Sequence, residues 1–230
     1  MLASLFLDTL RFIPDHAHLL VVKAVELAEL AFTALGIGMV IALPVGLWLG
    51  HRHRGLFLAL GISTIGRALP VIVLIGLFIA ILGVGFWNVV VALVVLAIPP
   101  LLTNAYFAVD GVDRDAVEAA RGMGLTERQI LTGVELPLGL PFILAGIRIA
   151  AVFVIATATI AGIAGGGGLG DIIVNPASYR LQGVLGASYC VMALSAGSWL
   201  LLLALQRAMT PRALLGTSVR GTGNDRRELL

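Results

Sequence analysis

Long apolar runs alternate with short polar stretches along this chain. A helix that crosses a bilayer needs about 20 consecutive apolar residues. Five segments meet or approach that requirement, and we predict spans over residues 28–50, 56–83, 87–107, 137–161 and 184–205. The pattern therefore predicts an all-α integral membrane protein with about five transmembrane helices.

The second apolar segment is longer than one straight span and contains Pro70. Two arrangements are open. The segment is either one tilted helix kinked at Pro70, or an interfacial helix over residues 55–66 followed by a span that begins near Arg67. We prefer the second arrangement, because a charged Arg67 in the middle of the membrane would be costly.

The composition supports the membrane assignment and excludes several other classes. Hydrophobic residues make up 59% of the 230 residues and charged residues only 12%, whereas soluble domains carry roughly 25% charged residues. A net charge of +2 is too small to indicate a nucleic-acid partner. The single cysteine, Cys190, excludes a disulfide framework and a cysteine metal site. We expect no metal site and no catalytic group.

Arginine placement predicts the orientation and the domain boundaries. Arginines cluster after the first, third and fifth spans, and basic residues favour the cytoplasmic side. We therefore expect the N-terminus outside and the C-terminus in the cytoplasm. We assign residues 1–27 to an N-terminal interfacial segment, 28–210 to the transmembrane domain and 211–230 to a disordered cytoplasmic tail.

The stretch DAVEAARGMGLTERQILTGVELPLGLP, residues 115–141, is polar in an otherwise apolar chain. Asp113 or Asp115 can cap a helix, and Gly124 can end that helix in a left-handed conformation. Thr126 and Gln129 form a capping-box pattern that opens another helix. The spacing predicts two short cytoplasmic helices joined at a glycine, within a loop over residues 108–136. A solvated connection without a partner is the alternative.

This stretch resembles the signature EAA-x3-G-x9-I-x-LP of importer-type ABC permeases. The chain has Glu118-Ala119-Ala120, then Gly124, then Val134-x-Leu136-Pro137, with Val in place of Ile. The resemblance implies that the loop forms the coupling helix on which an ATPase subunit docks. The implied ATPase-coupling residues are Glu118, Ala119, Ala120, Arg121, Gly122, Met123 and Gly124.

Three phrases are similar to glycine betaine, carnitine and choline permeases: RALPVIVLIGLFIAILGVGF, GVDRDAVEAARGMGLTERQILTGVELPLGLPFILAGIRIA and TATIAGIAGGGGLGD. The resemblance implies a MetI-like ABC permease core in the bacterial inner membrane, importing osmoprotectants. It also implies two ATPase subunits, a second permease subunit (a copy or a paralogue) and a separate extracytoplasmic binding protein. Arg67 departs from the family, which usually has Gln there.

Motifs that the sequence lacks distinguish a permease subunit from an enzyme and from a stand-alone transporter. It has no GxxxxGK[ST] pattern, so we expect a permease subunit and not an enzyme, with ATP and Mg bound by the partner ATPase and no cofactor on this chain. A permease for methionine or an oxyanion remains open within the same class. A stand-alone secondary transporter would require coupling acids within its spans or inverted repeats.

The run GGGGLGD, residues 165–171, has two interpretations. It is either a tight backbone passage at a helix end, or an outer gate formed by Gly165, Gly166, Gly167, Gly168 and Gly170. The run resembles the GxGGLG of methionine-type and osmoprotectant-type permeases, which favours the gate. A phosphate-binding loop would require a following Lys-Ser/Thr, which the run lacks.

A few charged residues within or beside the spans remain to be placed. Lys23, Glu26 and Glu29 share one helix face and form either an interfacial ion-pair strip or a vestibule that attracts cations. Arg148 lies inside the fourth span, where it either pairs with a neighbouring helix or the second subunit, or lines the pathway. The pathway candidates are Arg67, Pro70 and Arg148.

Overall fold

The computed structural model describes residues 12–53 and 55–209, without the side chains of Leu58 and Arg67. Every regular element within these residues is helical. After one helical turn at residues 12–15, the elements are α1 (Ala17–His51), α2 (Leu56–Ala68), α3 (Val71–Leu82), α4 (Phe86–Asp110), α5 (Arg114–Gly122), α6 (Glu127–Ile130), a π-helical turn (Leu131–Glu135), α7 (Leu136–Ala158), a 3-10 turn (Thr159–Ala164), α8 (Leu169–Ile173) and α9 (Pro176–Met209).

Four helical stretches in this part of the chain are long and apolar enough to cross a membrane: α1, α4, the continuous stretch Glu127–Ala164, and α9. The α2–α3 pair provides a fifth if it is counted as one bent span. The prediction of about five transmembrane helices and an all-α membrane fold is confirmed. Residues 1–11 and the predicted tail, 211–230, lie outside the described residues.

The second predicted span is bent by 89° between α2 and α3. Leu69 and Pro70 adopt extended backbone conformations there, as expected for a proline and the residue before it. Two helices separated by a bend are closer to the interfacial-helix alternative than to one kinked helix. The predicted boundary between them was wrong, because Arg67 still belongs to α2 and α3 begins at Val71. With 12 residues, α3 is about 18 Å long and does not reach across a hydrocarbon core of about 30 Å.

The helix that contains the first predicted span begins before that span. Helix α1 starts at Ala17 and runs without interruption to His51, whereas we expected a start near residue 28. Leu20 and Leu27 are buried against the rest of the bundle. The helix therefore also includes residues 17–27, which we had assigned to an N-terminal interfacial segment.

Helix α1 packs closely on α4 through small residues. Gly38, Ala42, Gly46 and Gly50 recur every four residues and therefore lie on one face of α1. A Cβ atom at Gly46 would lie 2.7 Å from the carbonyl oxygen of Leu102. Small residues of this kind allow two membrane helices to approach closely.

Helix α4 lies at the centre of the bundle and α9 at its edge. In the most apolar stretch of each helix, 67% of the residues of α4 are buried, against 11% for α9. Arg180 has backbone angles of φ 55° and ψ 176°, so the regular part of α9 follows it and contains the predicted fifth span. The outer face of α9 exposes large apolar side chains, including Met192, Trp199 and Leu201.

Candidate functional site

Polar groups gather at the two ends of the helix bundle. We call one end the loop end; it contains His51, Asp110, Glu135 and the polar loop, residues 111–135. We call the other the glycine end; it contains Lys23 and the glycine run, residues 165–171. Hydrogen bonds between elements that are distant in sequence define both ends.

The polar loop folds as its capping residues predict. The Asp113 carboxylate accepts the backbone N–H of Asp115 at 3.0 Å and caps α5. Gly124 follows α5 with φ +84°. Thr126 and Gln129 form a reciprocal capping box at the start of α6, with the Gln129 side-chain oxygen 2.8 Å from the Thr126 backbone nitrogen. Two helices joined at a glycine are confirmed, although α6 is a single turn that continues through the π-helical turn into α7.

One face of α5 is buried against its own chain and the other is exposed. Val117 and Ala120 pack with Ile130 in a small core that also includes Val112, Leu125 and Val134. The opposite face presents a row of exposed residues, and the Met123 side chain is 74% exposed. Of the predicted ATPase-coupling residues, six are exposed: Glu118, Ala119, Arg121, Gly122, Met123 and Gly124.

Ala120 is the exception among the predicted coupling residues. It is 2% exposed and packs against its own chain, so it lies beneath the exposed face, and its role in coupling stays a prediction. The reason is helical geometry: Ala120 follows Val117 by three residues and shares its buried face. Ala120 anchors α5 and leaves Ala119 as the small residue on the exposed face.

A connected series of polar and charged side chains at the loop end was not predicted. His51 Nδ1 lies 2.6 Å from Glu135 Oε2, and His51 Nε2 lies 3.3 Å from Glu127 Oε2. The Arg121 guanidinium donates to the Glu127 carboxylate at 3.1 Å. Residues 51 and 135 are 84 positions apart, so no local spacing could reveal their pairing. The available signal was an acidic residue directly before the apolar run of α7.

A second ion-paired group holds the glycine end together. Lys23 Nζ lies 2.8 Å from Glu26 Oε2 and 2.7 Å from Asp171 Oδ2. Glu26 Oε2 also accepts the backbone N–H of Gly168 at 2.8 Å. Of the predicted strip of Lys23, Glu26 and Glu29, the structure shows the Lys23–Glu26 pair, whereas Asp171 as the second partner of Lys23 was missed. Through this group, α1 contacts the glycine run directly.

The glycine run passes tightly between neighbouring segments. Gly168 has φ +82°, and a Cβ atom there would lie 3.2 Å from the backbone of Leu27. Gly170 is buried and approaches the backbone of Thr159 so closely that a Cβ atom would overlap it. These contacts favour the tight-passage interpretation. A gating role for Gly165, Gly166, Gly167, Gly168 and Gly170 stays a prediction.

Arg148 contacts a neighbouring helix. Its guanidinium donates to the Gln206 side-chain oxygen at 3.0 Å and lies 5.2 Å from the centroid of the Trp199 ring, both in α9. This arrangement favours the helix-pairing hypothesis. Arg67 lies in the last turn of α2 and Pro70 directly before α3. A pathway role for these three residues stays a prediction.

A bundle of long apolar helices with a polar loop at one end and a clamped glycine run at the other is the architecture of a multi-pass membrane protein. Residues 36–214 match the family described as binding-protein-dependent transport system inner membrane component, and the chain belongs to this family. The expected permease assignment is therefore confirmed, and the chain is a transport subunit and not an enzyme.

Individual relatives agree with the family assignment. The chain is 34% identical to the carnitine transport permease protein OpuCB of Listeria monocytogenes, over 88% of this chain and 94% of that protein. It is 32% identical to the glycine betaine/carnitine/choline transport system permease protein OpuCB of Bacillus subtilis, over 89% and 95%. The fold is similar to a chain of the MetNI methionine ABC transporter in an inward-facing conformation, with a TM-score of 0.73, 26% identity and coverage of 86% and 99%. The expected MetI-like core is confirmed.

Proposed function

We propose that this chain is the membrane subunit of an ATP-driven importer of osmoprotectants, namely small quaternary ammonium compounds such as glycine betaine, carnitine and choline. The substrate class rests on the relatives, whose names state carnitine, glycine betaine and choline. The 32–34% identity extends over nearly nine tenths of the chain. Methionine is the competing substrate, because the similar solved fold belongs to a methionine transporter.

The observation that carries the coupling role is the two-sided nature of α5. Val117 and Ala120 fix the helix to α6 and the π-helical turn through Ile130 and Val134, while Glu118 and Met123 remain exposed. An exposed Met beside small residues suits a surface that fits into an irregular groove. An ATPase subunit docked on this face would move the anchored loop, and with it the start of α7.

The complete importer in this proposal contains two ATPase subunits, a second permease subunit and an extracytoplasmic binding protein. ATP and Mg²⁺ bind to the ATPase subunits, and this chain binds no cofactor. The outer apolar face of α9, which includes Met192 and Leu201, is available to membrane lipid or to the second permease subunit, a copy or a paralogue.

In the bacterial inner membrane, we place the loop end in the cytoplasm and the glycine end outside. Arg52, Arg121, Arg128 and Arg207 lie at or near the loop end, and arginine favours the cytoplasmic side. The N-terminus is then outside and the C-terminus inside. In this orientation the glycine run faces the binding protein and forms the outer gate.

Substrate selectivity belongs to the binding protein in this proposal. Quaternary ammonium groups are commonly recognised by cages of aromatic rings. Within residues 12–53 and 55–209, the rings in contact are close neighbours in sequence, such as Phe86 with Trp87 and Tyr106 with Phe107. Such pairs do not surround a common space, which supports recognition by another subunit.

The test is uptake by the complete importer in proteoliposomes. The chain is reconstituted with its ATPase, its binding protein and internal ATP, and labelled glycine betaine, choline and methionine are supplied. Glu118→Arg reverses a charge on the exposed face of α5. Arg207→Glu is the matched control, because it reverses an exposed charge near the same end of the bundle but outside the polar loop.

We expect ATP-dependent uptake of betaine or choline that Glu118→Arg abolishes and Arg207→Glu retains. Uptake of methionine alone would replace the osmoprotectant assignment and keep the importer. Uptake that persists without the ATPase subunit would refute the ATP-driven mechanism. Equal activity of both variants would remove Glu118 from the docking surface.

A further inference from the structure

Glu135 is a buried acidic residue at a break in regular helix geometry. Its side chain is 2% exposed, and acidic side chains are almost never fully buried unless they are paired. It is the last residue of the π-helical turn, Leu131–Glu135, through which the polar loop joins α7. Turns of this kind occur often at functional sites. The position therefore requires a partner for the carboxylate.

That partner comes from another helix. His51, the last residue of α1, places Nδ1 2.6 Å from Glu135 Oε2, and the histidine side chain is 14% exposed. An N–H on Nδ1 donates to the Glu135 carboxylate, and Nε2 lies 3.3 Å from Glu127 Oε2, an ion-pair distance when the ring is doubly protonated. A single imidazole of α1 thus contacts both the first residue of α6, Glu127, and the last residue of the π-helical turn, Glu135.

The connection continues to the exposed helix of the polar loop. Glu127 accepts hydrogen bonds from Arg121 of α5 at 3.1 and 3.3 Å. A cavity of about 350 Å³ lies between α5 and the end of α1, lined among others by His51, Glu118 and Glu135. Side-chain contacts therefore bridge a region where α5 and α1 are not closely packed. They run from Arg121 through Glu127 and His51 to Glu135.

We propose that His51 is a positioning residue that ties the polar loop to α1, so that displacement of the loop moves α1 together with α7. The π-helical turn is a point where a helix bends readily, and the tether prevents the loop from moving by bending this turn alone. The inference rests on the proposed docking of an ATPase on α5 and adds the route by which that docking reaches the first membrane helix.

The readout is the amount of solute transported per ATP hydrolysed by the reconstituted complex of this chain with its ATPase and binding protein. His51→Leu removes the tether and leaves Glu135 unpaired. We expect it to lower this ratio about fivefold or more, the lower range of typical coupling between sites, while ATP hydrolysis continues. His51→Gln keeps an N–H donor and is expected to retain most of the coupling.

A double variant separates coupling from stability. His51→Leu with Glu135→Met removes both partners, so no charge is left buried without a partner, a change that proteins often tolerate. We expect this variant to fold and assemble like the wild type and still transport less solute per ATP. Recovery of the wild-type ratio would show that the single variant failed only because of the unpaired carboxylate, and would overturn the proposal.

The neighbouring histidine provides the matched control. His53 Nδ1 lies 2.8 Å from Asp110 Oδ1 of α4. This pair is separate from the contacts that connect His51 to the polar loop. His53 has φ 48°, a left-handed conformation that Asn accepts, so His53→Asn is expected to keep normal coupling. Loss of coupling in His53→Asn, or normal coupling in His51→Leu, would overturn the tether. A wild-type complex without ATPase-dependent uptake would instead refute the proposed function on which the tether rests.

Discussion

The crossing of α1 and α4 can be tested at a single glycine. At Gly46, a Cβ atom would lie 2.7 Å from the Leu102 carbonyl oxygen and 2.7 Å from the Ala105 Cβ, whereas ordinary contact begins at 3.4 Å. One of these obstacles is backbone, which cannot rotate away. Gly46→Ala therefore forces the two helices apart by more than half an ångström along their contact. Overpacking of this kind costs about 1–3 kcal/mol.

The matched variant is Gly36→Ala in the same helix, where an added Cβ meets nothing within 4 Å. Replacing Gly by Ala in a helix gains roughly 0.8–1.0 kcal/mol, and this gain is the same for both variants. The difference in stability between the two variants therefore measures the cost of the steric overlap at Gly46. We expect the melting temperature of Gly46→Ala to be lower than that of Gly36→Ala. The shift is about 2–4 °C for each kcal/mol of overpacking in a chain of this size.

The assay is the fraction of monodisperse protein that survives heating in detergent, measured by size-exclusion chromatography for both variants and the wild type. Gly36→Ala should melt at or above the wild type, because it gains helix propensity without a clash. Equal melting of the two variants would refute the close approach of α1 and α4 at Gly46. It would also remove the small-residue stripe as the feature that positions α1.

Three further predictions concern single side chains. Thr126→Ala removes the cap of α6 and is expected to cost about 1 kcal/mol, seen as faster amide hydrogen exchange in residues 126–130; unchanged exchange would contradict the role of the capping box. Lys23→Met leaves the Asp171 carboxylate without its ion-pair partner, so we expect faster hydrogen exchange across residues 165–171, and protection equal to the wild type would show that the ion pair does not hold the glycine run. Arg148→Met removes the cation over the Trp199 ring, a contact worth roughly 0.5–2 kcal/mol, so we expect a lower melting temperature; a melting temperature equal to the wild type would show that Arg148 does not join α7 to α9.

Local signals explain what could be predicted from the sequence. The caps at Asp113 and Thr126 act over two or three residues, so the letters that form them are adjacent and their geometry is predictable. The apolar runs likewise located α4 at Phe86–Asp110 within three residues of the predicted bounds, 87–107. Helix caps and apolar runs depend on residues that are close together in the sequence, so they can be predicted from a short segment.

The missed features depend on the tertiary fold. The Lys23–Asp171 pair joins residues 148 positions apart, and the start of α1 is set by packing of Leu20 and Leu27 against other segments. The burial of Ala120 was not predicted, because it depends on Ile130, ten positions further along the chain. In each case the decisive contact was made by a neighbour that the local pattern does not name.

The two ends of the bundle share one helix, and this limits how they can move. Helix α1 has 35 residues, a length of about 52 Å, and it contacts the glycine run through Lys23 and the polar loop through His51. Between these contacts, the small-residue stripe that includes Gly46 holds α1 against α4. A tilt of α1 about that close contact would carry its two ends in opposite directions. A displacement that begins at the polar loop would therefore reach the glycine run through one helix, without passing through α7.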